Sequence, residues 1–181
     1  MKRFSPDQIG VLRNGAVGLA VALGVGVPTY RWMPASWLGI GVLADAGERI
    51  AFAARWDIPV LVWLAVCIRR VSGGRFKSPA DIGGSALSEA SPAIAISRAI
   101  LQNSLEQTVL AIGAHFALAA TLRGRELIVV PILVTLFLAG RVWFAVGYRG
   151  GAPSRAGGMV LTAAPTIVAL LLAGGLALAG R

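Results

Sequence analysis

The chain has 181 residues, of which 56% are hydrophobic and 14% are charged, and its mean hydropathy is +0.75. A water-facing domain needs about 25% charged residues to cover its surface, so this composition excludes a soluble globular domain. The formal net charge is +9, but the basic residues lie at the ends of apolar runs. That distribution is typical of a protein that contacts lipid headgroups, and it argues against a nucleic-acid-binding protein.

Apolar segments follow one another along the chain, each near the ~20 residues that cross the hydrocarbon core of a bilayer. The five segments run from about 14 to 32, 50 to 68, 92 to 122, 127 to 148 and 159 to 179. In lipid every backbone polar group needs an internal partner, which leaves helices or a closed barrel, and these long non-alternating runs exclude the barrel. The sequence therefore predicts an all-α integral membrane protein.

The connections between the segments differ in length. Residues 33–49 predict a short interfacial helix, and residues 71–91, rich in glycine and serine, predict an exposed loop. Residues 123–126 predict a tight turn, which makes the third and fourth segments antiparallel neighbours. Two glycines and a proline at 150–153 predict the end of the fourth helix.

The distribution of basic residues predicts the orientation of a multi-pass protein, because cytoplasmic loops carry an excess of Lys and Arg. With five crossings, nine basic residues fall on one side and five on the other. The nine, predicted to be cytoplasmic (facing inward from the inner membrane in a bacterium), are Lys2, Arg3, Arg13, Arg69, Arg70, Arg75, Lys77, Arg149 and Arg155. The five are Arg31, Arg49, Arg123, Arg125 and Arg181.

The third segment begins with polar side chains that are costly in a membrane. Arg98, Gln102 and Glu106 have i, i+4 and i+8 spacing, so they share one helical face. Asn103 is a neighbour of Glu106 at i+3. A charge at the bilayer centre costs about 2.5–3.5 kcal/mol on insertion scales. These residues therefore form either a polar clamp between helices or a binding site.

The fourth segment carries a second polar set near its end. Arg141, Phe144 and Tyr148 have i, i+3 and i+7 spacing, and Arg155 follows just after the predicted helix end. An interfacial belt would also explain Tyr148 and Arg149. The predicted topology brings both polar sets to the cytoplasmic end. Together they form a pocket of arginines, one carboxylate and two amides, which suits a small zwitterionic peptide.

At these residues the chain resembles the MAPEG family, the membrane-associated proteins in eicosanoid and glutathione metabolism, and in particular its bacterial-type microsomal glutathione transferases. The similarity covers about residues 50–180. Arg98 departs from the pattern, because it lies five residues before Asn103 where the family arginine lies four before. The matching positions are Asn103, Glu106, Arg141, Phe144, Gly147, Tyr148 and Arg155, with Arg69 and Arg70 resembling paired family arginines.

The resemblance implies a four-helix transmembrane bundle over residues 50–181, assembled as a homotrimer with glutathione bound between subunits. Residues 1–49 would add an extra hydrophobic helix and an interfacial segment. Arg155 would be catalytic, facing the thiol and stabilising its thiolate, which is the nucleophilic form. The residues expected to bind glutathione are Arg98, Gln102, Asn103, Glu106, Arg141, Tyr148, Arg69 and Arg70.

The function implied is a membrane glutathione transferase, with or without peroxidase activity, that attacks hydrophobic electrophiles from the bilayer. A non-catalytic lipid-binding or scaffold protein is the alternative, because Phe144 stands where many members carry a hydroxyl or an imidazole. A small transporter is disfavoured, since the sequence has no inverted repeat. The single cysteine, Cys67, has no metal-ligand cluster around it, so no metal site is predicted. His115 is interpreted as a buried structural histidine.

Overall fold

The computed structural model describes residues 4–43, 45–84 and 87–180, and in these the regular structure is entirely helical. These residues form five long helices and four short 3₁₀ helices. The long helices are α1 (Pro6–Trp32), α2 (Ala46–Phe76), α3 (Pro92–Thr121), α4 (Val129–Gly147) and α5 (Gly151–Leu178). The short ones are Ala35–Leu38, Ile40–Val42, Gly124–Ile128 and Tyr148–Gly150.

Among the described residues, three helical stretches are long and apolar enough to cross a membrane, and the last includes both α4 and α5. They are Pro6–Trp32, Ala46–Phe76 and Gly124–Leu178. α3 is not among them, which fits the polar side chains along its first half. The predicted all-α membrane bundle is confirmed, with the five long helices where the five apolar segments were expected.

Several helix boundaries differ from the prediction. α2 continues through two glycines to Phe76, so the exposed connection begins at residue 77 rather than at 71. α5 begins at Gly151, not at 159, and α4 has already ended at Gly147. Gly151 has φ +84°, which turns the chain, and Pro153 lies in the first turn of α5, where a missing N–H leaves no bond unmade. Arg155 is consequently a helical residue.

The interfacial segment is also different from the prediction, because residues 33–49 hold two 3₁₀ helices and the start of α2 instead of one short helix. Three of the basic residues used to predict the orientation, Lys2, Arg3 and Arg181, lie outside the described residues.

The start of α2 is fixed by a capping box: Asp45 Oδ1 accepts from Glu48 N at 2.8 Å, and Glu48 Oε2 accepts from Asp45 N at 3.4 Å.

Glycines allow α1, α4 and α5 to approach closely. A Cβ atom on Gly158 of α5 would lie 2.6 Å from the carbonyl oxygen of Gly140 in α4. A Cβ on Gly157 would lie 2.9 Å from the carbonyl oxygen of Asn14 in α1. Asn14 Nδ2 also donates to the Pro153 carbonyl at 2.8 Å, at the start of α5. Small residues allow helices in lipid to pack this closely, whereas larger side chains at the same positions would keep the backbones apart.

α2 and α3 are joined by polar contacts at different depths. The buried Arg49 donates from Nε to the Ala119 carbonyl at 3.0 Å, near the C-terminus of α3. Trp63 Nε1 donates to Ser104 Oγ at 3.1 Å, closer to the N-terminus of α3. Such contacts satisfy groups that would otherwise be unpaired in the hydrocarbon.

The loop before α3 is built around Asp81. Its carboxylate accepts from Ser78 Oγ at 2.5 Å and from Ser91 N at 2.8 Å, and Ser91 is the residue that precedes α3. These hydrogen bonds, the Ser78 bond first, hold the pKa of Asp81 below its usual value. The loop therefore fixes the start of the helix that carries Asn103.

Substitution of Gly158 by alanine tests the α4–α5 seam. The new methyl group would overlap the α4 backbone, and overpacking of this kind costs about 1–3 kcal/mol. We expect a thermal unfolding midpoint several degrees lower, measured in detergent. Gly174→Ala is the matched control on the same helix, because nothing lies within 4 Å of its Cβ position. Equal midpoints for the two variants would contradict the close approach.

Candidate functional site

Arg141 of α4 has no exposed surface, and its guanidinium connects three helices. Nη1 donates to Asn103 Oδ1 of α3 at 2.7 Å, and Nε donates to Thr162 Oγ1 of α5 at 3.1 Å. Nη2 lies 3.7 Å from the Met159 sulfur. A buried cation is tolerated when its donors are paired in this way. The structure thus brings Asn103 and Arg141 together, as the predicted topology implied. Within the single chain, Arg141 is fully buried and has no contact with solvent.

A row of aromatic and cationic side chains continues from Arg141 to the start of α5. The Arg141 Cζ atom lies 4.6 Å from the centroid of the Phe144 ring, a cation–π contact. The Phe144 and Tyr148 rings meet edge to face with centroids 5.5 Å apart. The Arg155 Cζ atom lies 4.3 Å from the Tyr148 centroid. We call Asn103, Arg141, Phe144, Tyr148 and Arg155 the arginine–aromatic row.

The open end of this row is formed by Tyr148 and Arg155, which are both partly exposed, whereas Phe144 is buried. Gly147 makes the turn possible, because a Cβ there would collide with the Ser154 carbonyl. The tight connection places Arg155, the fifth residue of α5, against Tyr148, the first residue of the 3₁₀ helix that follows α4. A partly exposed guanidinium at this position can reach an anion that arrives from outside the chain.

Three other α3 residues that were predicted for the site point away from the row. Arg98, Gln102 and Glu106 are exposed, and Gln102 Nε2 donates to Glu106 Oε1 at 2.9 Å. The i, i+4 spacing that predicted a shared face is therefore correct, and this face lies on the outside of the chain. Asn103, one position further round the helix, is the residue that turns inward.

Arg69 and Arg70 are exposed near the end of α2, where they line openings distinct from the row. Both border an open groove of about 550 Å³ that also contains Lys77. Arg70 further lines a cavity of about 330 Å³ between α2, α3 and α4, shared with Ser97 and Arg149. Residues predicted for one site thus fall on three surfaces of the single chain.

A buried acid–base pair that was not predicted from the sequence lies in the middle of the bundle. His115 Nδ1 of α3 lies 2.6 Å from Asp57 Oδ1 of α2, and their side chains are 1% and 3% exposed. His115 is buried, as expected, but the pairing was not anticipated. The signal was present as two ionisable residues within apolar segments, each of which would be costly in lipid without a partner.

No metal site is evident in the described part of the chain, where no cluster of three or more His, Cys, Asp and Glu side chains occurs. Arginines dominate the row, and guanidinium groups bind anions rather than metal ions. The chemistry that this arrangement supports is therefore recognition of carboxylates and stabilisation of an anionic sulfur or oxygen.

The fold and the site together define an all-helical membrane bundle with arginines from adjacent helices at one end. Residues 50–175 match the model of the MAPEG family, so the chain belongs to that family. It is accordingly a membrane protein related to glutathione or eicosanoid metabolism. The family includes glutathione transferases and related enzymes as well as non-catalytic members. No curated protein and no solved structure gives a significant match to the chain.

Removal of one partner of the Asp57–His115 pair tests its contribution to stability. Asp57→Ala leaves Nδ1 of the buried imidazole without its partner, and an unsatisfied buried polar group costs about 1–3 kcal/mol. We expect a large drop in the thermal unfolding midpoint for Asp57→Ala and a smaller one for the double variant Asp57→Leu/His115→Leu, which removes both polar groups. A double variant less stable than the single one would show that the two residues do not act as a pair.

Proposed function

We propose that this chain is a membrane-bound glutathione transferase that acts on hydrophobic electrophiles dissolved in the bilayer. The observation that carries the proposal is the arginine–aromatic row, which links α3, α4 and α5 and ends at the partly exposed Arg155. Family membership supports glutathione as the thiol. Net charge of +9 also favours binding of an anionic peptide.

In the proposed mechanism the glutathione thiol loses its proton to water, and the guanidinium of Arg155 stabilises the thiolate. Lowering a thiol pKa from ~8.5 by two units requires about 2.7 kcal/mol of preferential interaction, which one cation in a partly dry pocket can supply. The thiolate sulfur then forms a bond to the electrophilic carbon of the acceptor. The leaving group departs with the electron pair of the bond that breaks.

The remaining residues act by binding and positioning. Arg141 is fully buried, so we assign it the role of holding Asn103 and Phe144 in place, and Asn103 and Tyr148 would contact the peptide. Glu106, on the exposed face of α3, would receive an ammonium group at the surface of a neighbouring subunit. We propose a homotrimer with glutathione between subunits, because the exposed faces of α2 and α3 carry the other predicted glutathione-binding residues: Arg69, Arg70, Arg98 and Gln102. We also propose that the site faces the cytoplasm, because the larger group of basic residues lies on that side of the predicted topology.

A non-catalytic lipid-binding or scaffold function is the second candidate. The observation that favours it is Phe144, which is 5% exposed and presents only a hydrocarbon ring between Arg141 and Tyr148. Relatives with a hydroxyl or imidazole at the matching position would have one more polar contact to a thiol or acceptor. The two functions differ in whether the row ionises a bound thiol.

Titration of the purified protein with glutathione separates the two functions. We expect saturable binding and ultraviolet thiolate absorbance at neutral pH, with an apparent thiol pKa about two units below the ~8.5 of free cysteine. S-Methylglutathione, which cannot ionise at sulfur, is the control and should bind without the absorbance. Absence of any glutathione binding would remove the enzyme hypothesis and leave the scaffold.

Arg155→Ala tests the catalytic assignment. Loss of the cation should reduce turnover of an electrophilic acceptor by roughly 10²–10³, the range found when one transition-state donor is removed. It should also raise the apparent thiol pKa and leave the oligomer intact. Arg155→Lys should restore part of the activity, and Arg123→Ala, an exposed arginine at the opposite end of the bundle, should have no effect. Full activity in Arg155→Ala would show that another arginine serves the thiol.

A further inference from the structure

An apolar cavity of about 330 Å³ lies between α1 and the bundle formed by α4 and α5. Its volume is at the lower end of the ~300–1,000 Å³ typical of ligand pockets. α1 contributes a large share of the lining, and this helix lies outside residues 50–175 that match the family. The cavity is therefore a feature that the added helix creates.

The cavity is long and follows the helix axes. Its lining runs from Leu19, Leu136 and Ala164 at one end to Tyr30, Val129 and Leu172 at the other. The stretch of α1 between Leu19 and Tyr30 is about 16 Å long at the helical rise of ~1.5 Å per residue. Half of the ~30 Å hydrocarbon core, the depth of one leaflet, is nearly the same length.

The chemistry of the cavity changes at one end. Tyr30 is the single lining residue with a polar side chain, and it is 40% exposed. The Arg125 guanidinium lies over the Tyr30 ring, with Cζ 5.5 Å from the ring centroid. Nη2 of Arg125 donates to the Tyr30 and Arg31 carbonyls at 2.7 and 2.8 Å, which holds the cation at the mouth. Arg31, the next residue in α1, is also exposed.

We propose that this cavity binds one acyl chain of an anionic phospholipid, whose phosphate lies against Arg125 and Arg31. The apolar lining matches a hydrocarbon chain, the length matches one leaflet, and the cations match a phosphate at the membrane surface. The bound lipid fills the space between α1 and α4–α5. This proposal does not depend on the glutathione site, which lies at the other end of α4.

Filling the cavity provides the main test. At Gly26 a Cβ would stand 3.6 Å from Ile132 Cγ2, an ordinary contact, so Gly26→Leu places its further atoms in the cavity without moving the backbone. Gly24→Leu is the matched control on the same helix, because no atom lies within 4 Å of its Cβ position. Each purified, delipidated protein is mixed with phosphatidylglycerol, and bound lipid is counted by native mass spectrometry.

We expect one phosphatidylglycerol molecule retained by the unmodified protein and by Gly24→Leu, and about tenfold weaker retention by Gly26→Leu. Equal retention by the two glycine variants would overturn the cavity as the site. Arg125→Gln tests the headgroup contact: it should reduce the preference for phosphatidylglycerol over phosphatidylcholine of the same acyl chains by about tenfold, whereas Arg123→Gln should preserve it. An unchanged preference in Arg125→Gln would overturn the phosphate contact.

Discussion

The buried guanidinium of Arg141 is the constraint on which the arrangement of α3, α4 and α5 depends. A cation with no exposed surface in an apolar helix needs a partner for each donor group. Asn103 supplies one from α3, Thr162 supplies one from α5, and the Phe144 ring covers the face of the guanidinium. These contacts set the rotation and depth of three helices at once, and they place Tyr148 and Arg155 where a ligand can reach them.

Close packing of small residues makes that arrangement possible. Gly140 and Gly158 let the α4 and α5 backbones approach, and Gly147 lets α4 end directly against the first turn of α5. Attraction between apolar side chains and lipid is about as strong as between the side chains themselves, so helices in a membrane associate through such shape fitting and through hydrogen bonds. α1 uses the same means, with Asn14 bound to the Pro153 carbonyl beside Arg155. The added helix therefore packs against the turn that carries the proposed catalytic residue.

α2 and α3 show the second means of association. The Asp57–His115 pair and the Trp63–Ser104 hydrogen bond join these helices at separate depths. Each pairing removes a polar group from lipid, and each helps to fix the register between the helices. Because these polar groups face α2, Gln102 and Glu106 lie on the opposite, outer face of α3. In the proposed trimer, that face would contact a neighbouring subunit.

Hydropathy was sufficient to predict the helices. The cost of polar groups in lipid, which is a local property of the sequence, singled out Asn103, Arg141, Tyr148 and Arg155 as candidate site residues. The start of α5 at Gly151 was not predictable from composition, since a glycine with positive φ serves equally to end one helix or to begin the next. The tertiary structure alone decided that Asn103 turns inward while Glu106 faces outward, that Asp57 meets His115, and that α1 encloses a cavity with Arg125 at its mouth. Each of these outcomes depends on which faces of the helices pack together. That packing is determined by the fit between segments far apart in the sequence, so the residue spacing within one segment cannot predict it.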